Sequence, residues 1–314
     1  MTSRLTSLVA RGVRAPFRDA RDLAAAWHAF WFTPQHPATV CLLRWLAGGM
    51  LLYTHGVWSF ALTEFFAPGG WQSAELVSQF REGSWHLSFW WLVPEAAAWP
   101  VHLTCLAVLL LFWVGCFTTV TKWLALLITL SYANRVPMAN FGLDQINGML
   151  ALYLALSPCG AMWSVDAWRR GARTTASPFA RLTTRLIQVH LCIIYVFAGL
   201  AKLKGQAWWN GEAIWMTLAN EEYQSLDLTW LAWHPRVTEL LTHATVAWEL
   251  SFWALVWRAR LRPYVLLVGT LMHLGIGAFL GMWTFGLVMT FAYVAFLPPQ
   301  HLLADSSTRP ETSS

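Results

Sequence analysis

Long apolar runs recur eight times between residues 39 and 297. A helix that crosses a bilayer needs about 20 mostly apolar residues, or fewer where neighbouring helices shelter it. The eight segments run Thr39–Trp58, Pro100–Phe117, Val120–Ala133, Gln145–Ala161, Arg185–Leu203, Val237–Trp257, Pro263–Leu280 and Trp283–Leu297. The third, fourth and eighth are short. Ahead of them, Phe17–Phe32 carries Arg18, Asp19, Arg21 and Asp22 in its first half and Trp27, Phe30 and Trp31 in its second. That pattern predicts an amphipathic helix lying in the membrane interface. Trp85–Trp99 is apolar but broken by Pro94, and reads as re-entrant or interfacial. Asp305–Ser314 is polar, contains Pro310 and reads as disordered.

The pattern therefore predicts an all-α polytopic integral membrane protein of about eight transmembrane helices. It divides into a cytoplasmic N-terminal part with the interfacial helix (1–38), a transmembrane domain (39–299) and a cytoplasmic tail (300–314). Composition agrees. Of 314 residues, 57% are hydrophobic and only 12% charged, about half the charged share of a soluble domain. Many of the 22 tryptophans fall where spans end, among them Trp58, Trp99, Trp123, Trp163, Trp208 and Trp257, as expected of interface anchors.

The net charge of +5 comes largely from arginines clustered between spans. Membrane orientation explains them better than nucleic-acid binding does, and no nucleic-acid partner is expected. With the N-terminus inside, the inner segments hold Arg4 to Arg21, then Lys122, then Arg169, Arg170, Arg173, Arg181 and Arg185, then Arg258, Arg260 and Arg262. Outer loops hold Glu64, Glu75, Glu82 and Glu95, and later Glu212, Glu221, Glu222 and Asp227. Both termini are thus expected in the cytoplasm of a cell with the protein in its inner (plasma) membrane. The five cysteines lie within or beside apolar runs, with no metal-ligand spacing and no sign of a disulfide framework, so no metal is expected.

Polar residues inside apolar runs carry the candidate chemistry. Side chains three, four and seven apart share a helix face. Gln188, Cys192, Tyr195, Gly199 and Lys202 make one such stripe on the fifth span. An amine at membrane depth costs about 3 kcal/mol. Two readings stand for Lys202: it snorkels to the headgroups, or it serves a site. Thr270, His273 and Gly277 form a stripe on the seventh span, and His243 lies toward the outer end of the sixth. Asn134, Arg135, Asp144 and Gln145 cluster at the outer end of the third and fourth. A polar pocket opening outward gathers these residues economically. Each also has a plainer reading. His273 can be a packing residue, Tyr195 core, Trp208 an interface anchor, and Asp144 a helix cap with Arg135 as its partner. Lower down project Arg44, His190 and Glu249; Arg44 beside Glu249 reads as a buried ion pair that fixes helix packing, with a proton path as the alternative.

Several motifs, in order, make the chain resemble the HTTM family, the membrane domain shared by vitamin K-dependent γ-glutamyl carboxylase and many bacterial proteins. They are Leu42-Leu43-Arg44-Trp45-Leu46-Ala47-Gly48, Asn134-Arg135 with Asp144-Gln145, Trp163-Ser164-Val165-Asp166, Phe197 to Leu203 with Trp208, and His273. The similarity runs over roughly Thr39 to Pro299. It implies a reduced quinone of the vitamin K or menaquinone type as cofactor, with oxygen and carbon dioxide as co-reactants. By that resemblance Lys202 is the base that deprotonates the quinol, while His273 and Asp144 orient it or relay protons. Tyr195, Gly199, Asn134, Arg135, Gln145, His243 and Trp208 would line the quinone site. The animal enzyme has two adjacent lysines where this chain has Ala201-Lys202. The chain also ends soon after its last span, which puts carboxylation of a clotting-type protein in doubt and leaves open a smaller quinol-dependent oxidation or carboxylation of a short peptide. The alternative is a non-catalytic membrane partner or maturation factor that binds a quinone, lipid or peptide.

Overall fold

A computed structural model describes residues 20–80, 87–171 and 174–303. The basic N-terminal residues up to 19, the 81–86 segment, Arg173 and the polar tail lie outside them. Fourteen α-helices are described: α1 (residues 20–32), α2 (Ala38–Val57), α3 (Leu62–Phe66), α4 (Ala74–Phe80), α5 (Ala98–Val114), α6 (Thr118–Arg135) and α7 (Gly142–Leu156), followed by α8 (Val165–Arg170), α9 (Pro178–Lys202), α10 (Gln206–Asn210), α11 (Ala213–Leu218), α12 (Pro235–Leu255), α13 (Arg262–Leu280) and α14 (Trp283–Ala292). No β-strand occurs among the described residues; one isolated bridge joins Gln35 to Ser177.

Each of the eight apolar runs has become a helix, with boundaries shifted by a few residues. Among the described residues four segments are long and apolar enough to cross a membrane: Ala38–Phe66, Glu95–Val114, Pro178–Lys202 and Arg262–Leu280. The remaining runs fall short for identifiable reasons. Helix α6 carries Lys122, Asn134 and Arg135, and α12 carries Arg236, Glu239 and Glu249. Helix α7 has 15 residues, and α14 has 10 before a 3₁₀ turn extends it through Phe296. The stretch around Pro94 forms two short 3₁₀ turns, Phe89–Leu92 and Glu95–Ala97. The first is pinned to α6, because Ser131 Oγ accepts from the Phe89 amide at 2.7 Å. Trp90 is buried there against Phe66 and Tyr132.

Packing sets two groups of helices side by side. Helices α2, α5, α6 and α7 pair in one, and α9, α12, α13 and α14 in the other, with α2 and α7 touching α9 and α14 across the boundary. Apolar residues point both ways. Leu43, Leu51, Leu109, Leu150, Ile187 and Phe252 are fully buried, while Leu103, Leu127, Ile193, Phe197, Leu240 and Leu271 are exposed along the helices. An exterior apolar on this scale is the surface of a protein solvated by lipid. The chain is a membrane protein.

Helix α9 shows how local sequence positions the site. Ser177 caps it, accepting from the Phe179 amide at 3.2 Å, and Pro178 occupies its first position, where no amide hydrogen is needed. Its 25 residues span about 38 Å. Thr184, Ile187, Gln188, Leu191, Cys192, Tyr195 and Gly199 are buried, and Ile193, Phe197 and Leu200 face outward. The stripe read from spacing is the face that packs against the bundle.

Candidate functional site

The end of that stripe meets α12. Lys202 Nζ donates to Glu249 Oε1 at 2.8 Å, with the lysine side chain 23% and the glutamate 8% exposed. The ammonium also lies 5.2 Å from the centre of the Trp208 ring, a cation–π contact. Gly199 makes the meeting possible. A Cβ there would come within 2.8 Å of the Leu250 side chain, so any larger residue would force Leu250 to shift at this helix contact. The expected Arg44–Glu249 pair does not form; Glu249 belongs to Lys202.

Behind the pair sits a buried polar group. Tyr195 Oη lies 2.8 Å from His273 Nε2 and 2.5 Å from Tyr293 Oη. Aromatic rings of Trp248, Phe252 and Phe285 wall it in. A Cβ on Gly269 would strike the Tyr293 hydroxyl and Trp248, so this glycine clears the space. The Glu249 charge acts on both tyrosine hydroxyls, and the Lys202 charge on His273. Two buried atoms, Glu249 Oε2 and His273 Nδ1, have no hydrogen-bond partner among the described residues. An unpaired buried polar atom is costly, so native proteins keep few of them. Two in one group mark a place where a ligand, water or proton completes the bonding. From sequence Glu249 is favoured as a structural partner of Arg44 over a place in a proton path, and Tyr293 is not singled out. Its position behind Tyr195 depends on how α14 folds back, which spacing within one helix does not encode.

The outer residues of α6 and α7 go elsewhere. Asp144 Oδ2 accepts from the Phe141 amide at 3.0 Å and caps α7. Arg135 is not its partner: it donates to the Gln72 and Ala67 carbonyl oxygens at 2.6 and 2.7 Å, with its guanidinium over the Trp91 ring. Asn134 donates to the Leu87 carbonyl at 2.9 Å. The single outer pocket expected from sequence is thus divided. Asp144 and Gln145 line a separate cleft of about 540 Å³ with Asn140, Gly148 and His190, and Lys202 does not line it. Beside the cleft lies a recess of about 20 Å³. It contains Asp144 and two further unpartnered buried atoms, His55 Nε2 and Asn147 Oδ1. Neither His55 nor Asn147 was singled out in the sequence. His243 is exposed, its Nε2 3.3 Å from the Trp209 carbonyl, and joins neither group.

Arg44 sits fully buried at the start of α2, and its guanidinium is ringed by backbone oxygens. Nε donates to the Cys159 carbonyl at 3.0 Å and Nη2 to that of Trp163 at 2.5 Å. Nη1 donates to the carbonyls of Phe112, at 3.1 Å, and Trp113. It ties the end of α5 to the turn after α7. Trp163-Ser164-Val165-Asp166 completes the knot. Asp166 accepts from the amides of Phe117 and Thr118 and from the Thr118 hydroxyl at 2.6–2.9 Å, capping α6. Burial pushes its carboxyl up, but these bonds to Thr118 and Phe117 outweigh it and hold the group below the usual carboxylate range. Two of the sequence motifs therefore meet in one structural fastening.

The five cysteines are free and buried. Among the described residues no group of three His, Cys, Asp or Glu side chains is placed to hold a metal. The family model described as HTTM domain matches residues 77–301, more than half of the chain. Comparison with curated proteins and with solved structures gives no match.

Proposed function

The chain belongs to the HTTM family, and on that premise we propose a vitamin K-dependent carboxylase-like membrane enzyme that uses a reduced quinone and oxygen, with carbon dioxide where it carboxylates. The observation that carries this reading is the Lys202–Glu249 pair, backed by Tyr195, His273 and Tyr293 and left with two unpartnered polar atoms. A quinol offers hydroxyl donors and an aromatic ring. Glu249 Oε2 fits such a donor, and the aromatic residues around the group fit such a ring. When bound, a reduced quinone supplies an acidic hydroxyl and the electrons for reducing oxygen.

Lys202 can take a hydroxyl proton only from its neutral form. Glu249 provides for this. Across their 2.8 Å contact the ammonium proton passes to the carboxylate, and the pair stays neutral overall. Lys202 in its neutral form would then be the proton acceptor for a hydroxyl held at Glu249 Oε2, and its regained positive charge would sit beside the carboxyl partner. His273 and the two tyrosines hold hydrogen-bond direction beside this exchange, in a site walled from water by aromatic rings. Asp144 keeps the positioning role implied by resemblance only if the ligand reaches the neighbouring cleft. In this reading α6, α7, α12 and α14 also cross the membrane, sheltered by their neighbours, for eight spans. Both termini lie in the cytoplasm and the protein sits in the plasma membrane.

Epoxide formation from reduced menaquinone by the purified protein tests the proposal. The reading expects product from the wild type and about 10²-fold less from Lys202→Ala. Equal product from both would remove Lys202 as the base.

A second reading rests on the cleft beside Asp144, which lies apart from Lys202 and adjoins a recess with two unpartnered polar atoms. Here the protein is a non-catalytic partner that holds a quinone or lipid there. A Cβ added at Gly148 meets nothing within 4 Å, so Gly148→Leu places its side chain toward the cleft that this residue lines. Loss of co-purifying quinone in Gly148→Leu, with no turnover in any variant, would favour this reading over the first.

A further inference from the structure

Three arginines near the opposite end of α9 have no carboxylate partner among the described residues. Arg181 and Arg185 are one turn apart on α9, and Arg262 opens α13; the charges of Arg181 and Arg262 both act on Arg185. Every acceptor they reach is a neutral oxygen. Arg181 donates to the Phe30 carbonyl at 3.0 Å and to Gln35 Oε1 at 3.5 Å. Arg185 donates to Gln188 Oε1 at 2.8 Å. Arg262 donates to the carbonyls of Val256, Trp257 and Phe296 at 2.9–3.5 Å. The one side-chain ion pair among the described residues, Lys202–Glu249, lies about 25 Å further along the helix.

The Arg185 guanidinium is wedged between two aromatic rings, 4.4 Å from the centre of Phe30 and 5.3 Å from that of Trp257. Its Nε is buried and has no hydrogen-bond partner among the described residues. Neutral carbonyls satisfy hydrogens but leave three like charges in a half-buried space. An anion with several oxygens answers both needs. Guanidinium forks match phosphate geometry, and their charge is best met there. Phe30 and Trp257 flank the group and Trp31 packs on Phe30, and such aromatic belts sit at headgroup depth. The basic cleft holding Lys122 and Arg170 differs, because the Asp166 carboxylate lies beside Arg170.

We propose that Arg181, Arg185 and Arg262 form a binding site for the phosphate group of an anionic membrane lipid. The site ties the interfacial helix α1 to the starts of α9 and α13 through one headgroup. Basic pockets between membrane helices bind lipid phosphates in this way, and each arginine near a charged surface contributes about a fivefold gain in affinity.

The test uses the purified full-length chain in nanodiscs of phosphatidylcholine, alone or mixed with phosphatidylglycerol. Native mass spectrometry then reads the lipid retained after transfer to detergent. The wild type should retain phosphatidylglycerol over phosphatidylcholine, and Arg185→Gln should lower that preference about fivefold. Arg258→Gln, at an exposed position outside the cluster, should leave it unchanged. Should Arg185→Gln fail to fold, Arg262→Gln on a different helix reads the same loss. Equal retention by wild type and variant overturns the site. Inorganic phosphate is added to the phosphatidylcholine discs as a separate arm. Binding of that ion, with no preference for phosphatidylglycerol, overturns the lipid assignment in favour of a free phosphate.

Discussion

Arg44 and Lys202 are both cations within apolar helices, and the protein completes one while leaving the other open. Arg44 is fully buried, and four backbone carbonyls surround its guanidinium. Lys202 is partly exposed and meets a carboxylate whose second oxygen has no partner among the described residues. A saturated polar group fixes structure, since nothing remains for it to bind. An unsaturated one can accept a proton or a ligand. The contrast argues that the Arg44 motif holds helices together while the Lys202 segment carries chemistry.

The largest expected effect breaks the first half of that contrast. Arg44→Met takes the Arg44 donors from four carbonyls; Trp163 keeps the Trp45 indole and Phe112 the Gly115 amide, while those of Trp113 and Cys159 are stranded. Thermal unfolding in detergent should show a loss of about 2–4 kcal/mol, at about 1–3 kcal/mol for each stranded carbonyl. A loss under 1 kcal/mol would mean that the knot is not a fastening. Next comes Glu249→Gln, which keeps the shape and removes the proton acceptor beside Lys202. Turnover should fall about 10²-fold or more, with a melting temperature close to wild type. Full turnover would place the shared proton elsewhere.

Gly199→Leu tests the geometry that brings the pair together. The added side chain strikes Leu250 on α12, so it should cost about 1–3 kcal/mol and lower turnover by parting Lys202 from Glu249. Unchanged turnover would show that close approach is not required. The smallest effect is Asp166→Ala, which removes the cap on α6 and should cost about 1 kcal/mol at neutral pH. Because the folded-state carboxyl is held below its ordinary value, this contribution is present above the usual carboxylate range of about 4. It fades as pH falls through the lower folded value. Unfolding curves of wild type and variant should therefore converge in acid; a constant gap would assign the loss to packing instead.

Much of this was legible in the sequence. Apolar run length located eight segments that are helical, four of them long and apolar enough to span among the described residues, and three-and-four spacing identified the face of α9 that carries Gln188, Tyr195, Gly199 and Lys202. What spacing cannot give is the partner across the helix interface. Arg44 and Glu249 look like an ion pair on charge alone, yet Arg44 satisfies itself on carbonyls and frees the glutamate for Lys202. Arg135 escapes Asp144 for the same reason: buried guanidinium groups here take backbone oxygens. Tyr293 enters the site because the chain turns back after α13 at Gly281, which adopts a left-handed backbone with φ of 71°. His55 and Asn147 are single polar residues on helices of mixed character, and only the closed bundle leaves their atoms unpartnered.

The most direct test of the contrast is quinol-dependent oxygen uptake by Lys202→Met, measured against wild type on equally folded protein. The account predicts that uptake falls about 10²-fold while the melting temperature stays within a few degrees. Uptake equal to wild type, or a variant that loses its fold as Arg44→Met is expected to, would contradict it.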